Sequence, residues 1–320
     1  MSKNLLALAL AANLVLACTH GGDDSSAPPT ALGPAPPPPG TGTSPLPPFN
    51  FGDGGGSAPV DSGTPDGPVD NDPGAAFGAR VWGTDLAGNL VSFRLSAPAK
   101  VSNKRVTGLP PGEKILNVSY RPVNAMMYGL SNRSRLYTID PQLGVATVVG
   151  DGSAFTPRLM AQADGFGFNP VSDKIRVHTD VNQNLRLDPT SGAVAGVDAA
   201  LTFGPDDVNV GQSPTLIATA HTNNVNPKPA STMLYAIDST RDLLVRLPNP
   251  NDGKVETIGE LGFDVDPAGG FDISRQGIPY ASLHVGAETG LYTIDLGTGA
   301  ATKMGAIGYP TALTSIAIER

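Results

Sequence analysis

The chain has 320 residues, a formal net charge of −8, 40% hydrophobic and 16% charged residues, 39 Gly and 31 Pro, a balance that favours many short strands and turns over long helices. Its acids are unevenly spread: Asp23, Asp24, Asp53, Asp61, Asp66, Asp70 and Asp72 meet no Lys or Arg between residues 19 and 76. The remainder is therefore nearly neutral, which excludes the basic face that nucleic acid or an anionic lipid surface requires.

The first element is an apolar run from Leu5 to Leu16 behind Lys3. It has the length of a signal-peptide core and is too short to span a bilayer. A buried helix is the competing account, but the tract that follows offers nothing to bury it against. The run closes on Leu14-Val15-Leu16-Ala17-Cys18, which resembles a bacterial lipobox, although Leu16 is bulkier than the small residue usual at its place. Cys18 is the only cysteine, so it cannot belong to a disulfide frame; a diacyl anchor, which holds a protein stably on a membrane, explains it. Thr19 after the cysteine resembles lipoproteins passed on to the outer membrane. The expected division is residues 1–17 as signal peptide, 18–76 as lipidated cysteine and tether, and 77–320 as folded domain. The tether holds Pro36-Pro37-Pro38-Pro39, Gly54-Gly55-Gly56 and repeated Asp-Gly turns, and it lacks the apolar surface needed to offset its ordering entropy.

From Phe77 a unit recurs: Leu136-Tyr137-Thr138-Ile139-Asp140, Leu185-Arg186-Leu187-Asp188, Leu234-Tyr235-Ala236-Ile237-Asp238 and Leu291-Tyr292-Thr293-Ile294-Asp295, at spacings of 49, 49 and 57 residues. Each alternates with period two and runs through a turn into a second short strand, such as Ala146 to Gly150, Val255 to Gly259 or Ala301 to Gly305. Two further strands precede it, as in Leu116 to Arg121 with Ala125 to Leu130, or Gly269 to Ser274 with Ile278 to Leu283. Four strands per repeat of this length predict an all-β fold, a β-propeller of four-stranded blades. The first unit offers only three strands, Val81 to Asp85, Asn89 to Leu95 and Arg105 to Leu109, while Ala312 to Ile318 is a strand without a partner. Placing the last strand in the first unit closes a ring of five blades and removes two exposed edges. A sixth blade remains open if residues 197–215 hide strands. The Asp that ends each Leu-Tyr-Xaa-Ile-Asp unit is expected to cap an Asx turn.

Val106-Thr107-Gly108-Leu109 with Gly112-Glu113, Tyr120-Arg121-Pro122, Phe168-Asn169-Pro170, Asn184-Leu185-Arg186 and the later Leu-Tyr-Xaa-Ile-Asp units, in this order, resemble the bacterial domain-of-unknown-function family 4394 over about residues 80–318. The resemblance implies an exported β-repeat domain with no assigned activity. It also implies an Asp ahead of the aromatic in several inner strands. The matching places here are Ser119 and Gly167, with Asp272 retained.

No nucleophile elbow, phosphate loop or dinucleotide fingerprint occurs. His178, His221 and His284 fall in different repeats and match no metal-ligand spacing, so they read as half-buried or loop histidines. Asp264, Asp266 and Asp272 around Gly269-Gly270 suit a turn better than a calcium loop. No cofactor is expected. The segment Arg176 to Arg186 is the most polar hairpin of the domain. Two functions compete. One is a binding module for protein or glycan, held on the cell envelope through Cys18, with its site at a channel mouth near Asn169, Arg176, Asn184, Arg186 and Asp272; there Arg forks and Asn amides suit carboxylates and hydroxyls, if those residues do not merely tie blades together. The other is a lactonase-like or glycosidase-like hydrolase, which needs a channel metal or two facing carboxylates.

Overall fold

The computed structural model describes residues 78–320; Cys18 and the expected tether lie outside the described residues. The described chain is a five-bladed β-propeller. Blade I combines Leu313–Ile318, its innermost strand, with Arg80–Asp85, Asn89–Arg94 and Ala97–Arg105. Blade II is Ile115–Tyr120, Met127–Ser131, Leu136–Asp140 and Val145–Val148, and blade III is Ala163–Asn169, Lys174–Thr179, Asn184–Leu187 and Val194–Val197. Blade IV holds Leu216–His221, Leu234–Asp238, Leu243–Leu247 and Lys254–Glu260, and blade V holds Gly269–Ile273, Pro279–Val285, Glu288–Ile294 and Ala301–Ala306. Each innermost strand packs on the next around the axis, and that of blade V packs on that of blade I, which closes the circle. The closing pair is antiparallel, with Val81 opposite Ile318 and Thr84 opposite Ser315.

Two strand expectations shift. The outer strand of blade I is Ala97–Arg105 rather than residues 105–109. This edge strand is largely exposed and tolerates Pro98 because an edge leaves one side of the ladder unused; Val106 instead turns inward to the core between blades I and II. Residues 197–215 make no sixth blade. After Val197, which ends the outer strand of blade III, they supply only the pair Thr202–Phe203, which runs parallel to Lys254–Glu260 on the rim of blade IV.

The period-two alternation of each strand sends one set of side chains to each neighbouring blade. Trp82, Leu90, Val118 and Tyr137 fill the space between blades I and II, and Tyr128, Leu136, Phe166 and Val177 that between II and III. Ile217, Ile237, Phe271 and Leu283 join IV to V, and Val81, Phe93, Tyr280 and Ile316 join V to I. The junction of III with IV differs. Blade IV presents Leu234, Ala236, Val245 and Leu247 on the face turned away from V, while in blade III the alternation that gives Ile175, Val177, Leu185 and Leu187 to blade II leaves Arg176, His178, Asn184 and Arg186 for the opposite face.

Candidate functional site

The polar face of blade III is held from both sides. The Arg176 guanidinium donates to Asn184 Oδ1 (2.7 Å), to Asp198 Oδ2 (2.5 Å) and to Asn251 Oδ1 on blade IV (2.6 Å). Asn184 Nδ2 donates to the Ala199 and Pro250 carbonyls, and Arg186 grips both oxygens of Asp198 at 2.8 Å. Arg176 and Asn184 are 4% and 1% exposed, so this network is a buried strap from III to IV. Burial opposes ionisation of Asp198, yet the hydrogen bonds from Arg186 and Arg176 hold its carboxyl below the ordinary value. Burial also lowers the Arg176 guanidinium against the pull of Asp198. Beside it, His178 and His221 are almost wholly buried with both ring nitrogens unpartnered. Burial, reinforced by the charge of Arg176, pushes both imidazoles down to about 3, so they stay neutral at physiological pH. His284 stands apart, 2.7 Å from Asp266.

The axial channel is narrow. Its constriction is lined by Ser119, Gly167, His221, Asn224, Asp272 and Ile316 and has a volume of about 10 Å³, room for about one water molecule. Tightness here depends on Gly270, where a Cβ would come within 2.3 Å of the Ile316 nitrogen and 2.5 Å of the Ser315 carbonyl carbon. The three places singled out along the inner strands, Ser119, Gly167 and Asp272, therefore do meet on the axis, and one of them carries a carboxylate. Asp272 is saturated: it accepts from the Ile318 and Ile273 N–H groups at 2.8 and 2.9 Å and from Arg320 Nη2 at 2.8 and 3.0 Å. Burial raises its pKa against those donors.

Of the five expected binding residues, Arg176, Asn184 and Arg186 are brought together in the strap, away from Asn169 and Asp272. Asn169 takes up its own turn, accepting from the Val171 and Ser172 N–H groups at 2.9 and 3.0 Å. The Asp that ends each repeat does the same. Asp140, Asp188 and Asp295 each accept two backbone N–H bonds from the turn that follows, and Asp238 accepts from Thr240 N.

Sequence reasoning missed the partners that complete the strap, Asp198 and Asn251, because they lie outside any recurring unit. It also missed Asp164, the extra residue of a bulge in the inner strand of blade III. Burial, with the charge of Asp180 adding to it, pushes the Asp164 carboxyl up to about 7. Among the described residues, no three His, Cys, Asp or Glu side chains are grouped to hold a metal.

The family model described as "Domain of unknown function (DUF4394)" matches residues 89–317. No curated protein matches the chain. Among solved structures, a structural genomics protein of unknown function from Bacteroides thetaiotaomicron is 12% identical with a TM-score of 0.45, over 74% of this chain and 60% of that one. A putative 6-phosphogluconolactonase from Bacteroides uniformis is 13% identical with a TM-score of 0.40, over 72% and 82%. The Nidogen/Laminin complex gives 11% identity and a TM-score of 0.42, over 76% and 98%. The chain thus spans 60% of the length of the first of these structures. At such scores the likeness assigns neither activity nor partner.

Proposed function

Since the chain belongs to the family described as a domain of unknown function, DUF4394, whose model covers residues 89–317, we propose that it is a lipid-anchored protein of the cell envelope, carried to the outer membrane, whose propeller binds a protein or glycan ligand and does not turn it over. The observation that carries this reading is the state of Asp272. The carboxylate at the channel constriction spends both oxygens on Arg320 and two backbone N–H groups. A general base needs a free lone pair within reach of substrate, and a calcium ligand needs its oxygens turned to the ion. Asp272 meets neither condition, and a hydrolase of the retaining or inverting kind would need a second carboxyl about 5 to 10 Å away.

The purified full chain tests this against a panel of lactones, phosphoesters and glycosides, with and without calcium, alongside capture on a glycan array. Capture without turnover is the expected result. Metal-dependent turnover that disappears in Asp272→Asn overturns the binding reading in favour of the hydrolase.

The anchor rests on Leu14-Val15-Leu16-Ala17-Cys18 and on the lone cysteine. Two acyl chains give stable attachment where one gives only reversible binding. Cys18→Ser is therefore expected to move the protein from the membrane fraction to the soluble fraction of cells. Unchanged membrane fractionation refutes the lipoprotein assignment.

A further inference from the structure

Four of the chain segments that leave the inner strands converge at one end of the channel. The segment after Ile115–Tyr120 brings Pro122 and Val123, the one after Leu216–His221 brings Asn224 and Val225, Arg275 follows Gly269–Ile273, and Arg320 follows Leu313–Ile318. Together they line a depression of about 210 Å³. Asn224 lines both this depression and the constriction beneath it.

Two polar atoms at this place have no partner. Asn224 is 3% exposed and its side-chain oxygen receives no hydrogen bond. The Arg320 side chain is 4% exposed, and although its two terminal nitrogens serve Asp272 and the Ile273 carbonyl, its Nε is buried and unmatched. Buried polar atoms left unpaired are costly and uncommon in folded proteins. The rim adds Arg275, an exposed guanidinium that makes no hydrogen bond or ion pair among the described residues. The site therefore has one unmet acceptor, one unmet donor and one free cation, beside an apolar wall of Pro122, Val123 and Val225.

Each part limits the ligand. An unmet amide oxygen needs a donor, which a bare carboxylate or phosphate lacks. A hydroxyl supplies one and can in turn accept from Arg320 Nε. A free guanidinium at the rim takes an anion, and a carboxylate fits its planar fork with two parallel hydrogen bonds. Hydroxyl and carboxylate on one small, partly apolar frame describe a sugar acid. We propose that this depression is a binding site for a hydroxylated carboxylate of the uronic-acid class, with Arg275 on the carboxylate and Asn224 with Arg320 Nε on a ring hydroxyl. The inference rests on the reading of the propeller as a binding module and gives that module a site and a ligand class.

D-glucuronate is the probe, with D-glucose and acetate as partial ligands, titrated into the full chain and followed by calorimetry and amide chemical shifts. Glucuronate is expected to bind and to shift the amides of residues 122–125 and 224–226, with glucose and acetate each at least tenfold weaker. Arg275→Ala, an exposed change that leaves the fold intact, is expected to lower glucuronate affinity at least tenfold and to leave glucose unaffected. Val123→Trp, also on the surface, is expected to block both. Glucuronate binding that is unchanged in both variants, or shifts confined to another face, overturns the site while the binding-module reading stands. No binding of glucuronate overturns the ligand class, and capture of a different ligand on the array then keeps the module reading separate from it.

Discussion

Deletion of Leu313–Ile318 is expected to abolish cooperative melting and to turn the propeller into an aggregating chain. All six residues of this strand are buried, and it is paired along its length with Arg80–Asp85. Its loss removes the buried side chains of Leu313, Ile316 and Ile318, each worth roughly 1.5–3 kcal/mol of burial, together comparable with the total stability of about 5–15 kcal/mol expected of a domain. It also removes the Ile318 N–H from Asp272 and leaves a raw edge on Arg80–Asp85 of blade I that can pair with other chains. Calorimetry and light scattering of the truncated protein measure both effects. A soluble truncation that melts in one sharp transition rules out closure by the C-terminal strand.

The second large effect falls on the strap between blades III and IV. Arg176→Ala removes the central donor of a buried network and leaves Asn184 Oδ1 and Asn251 Oδ1 without their partner, with Asp198 then dependent on Arg186 alone. Truncating one member of a buried ion pair costs about 3–5 kcal/mol, which for a domain of this size corresponds to a fall in Tm of roughly 6–20 °C. Arg186→Ala should cost far less, about 1 kcal/mol at most, because its side chain is 33% exposed and its pair with Asp198 is partly solvated. Thermal melts of the two variants give the comparison. The contrary outcome, normal melting with lost ligand capture in Arg176→Ala, returns Arg176 and Arg186 to the binding site first expected of them.

The strap also shows where alternation stops being informative. Period two in Ile175, Val177, Leu185 and Leu187 implies that Arg176, His178, Asn184 and Arg186 share the other face. In an isolated strand pair that face would meet water, and the same four residues would read as a solvated surface or a ligand site. The tertiary structure covers it with the turn of blade IV that carries Asn251, so the charges had to be paired inside the protein. Their principal counter-ion, Asp198, lies in the one stretch without a repeat signature, which is why no local pattern marks it.

What the sequence determined by itself is everything governed by local periodicity and turn chemistry: the all-β class, four strands to a repeat, five repeats, the Asx-capped hairpins at Asp140, Asp188 and Asp295, and the vacancy in the first unit that the last strand fills. Apart from the closing strand, which stood out because it lacked a partner in its own repeat, those features depend on the local pattern of each repeat, recurring until it stands out. The tertiary structure alone decided which polar residues meet. Asp272 is matched with Arg320 across 48 positions and Arg176 with Asn251 across 75, and the depression beside Asn224 is built from segments that follow four different inner strands. Ring closure sets these neighbours by bringing the ends of separate blades to one axis, and no spacing along the chain encodes a contact of that kind.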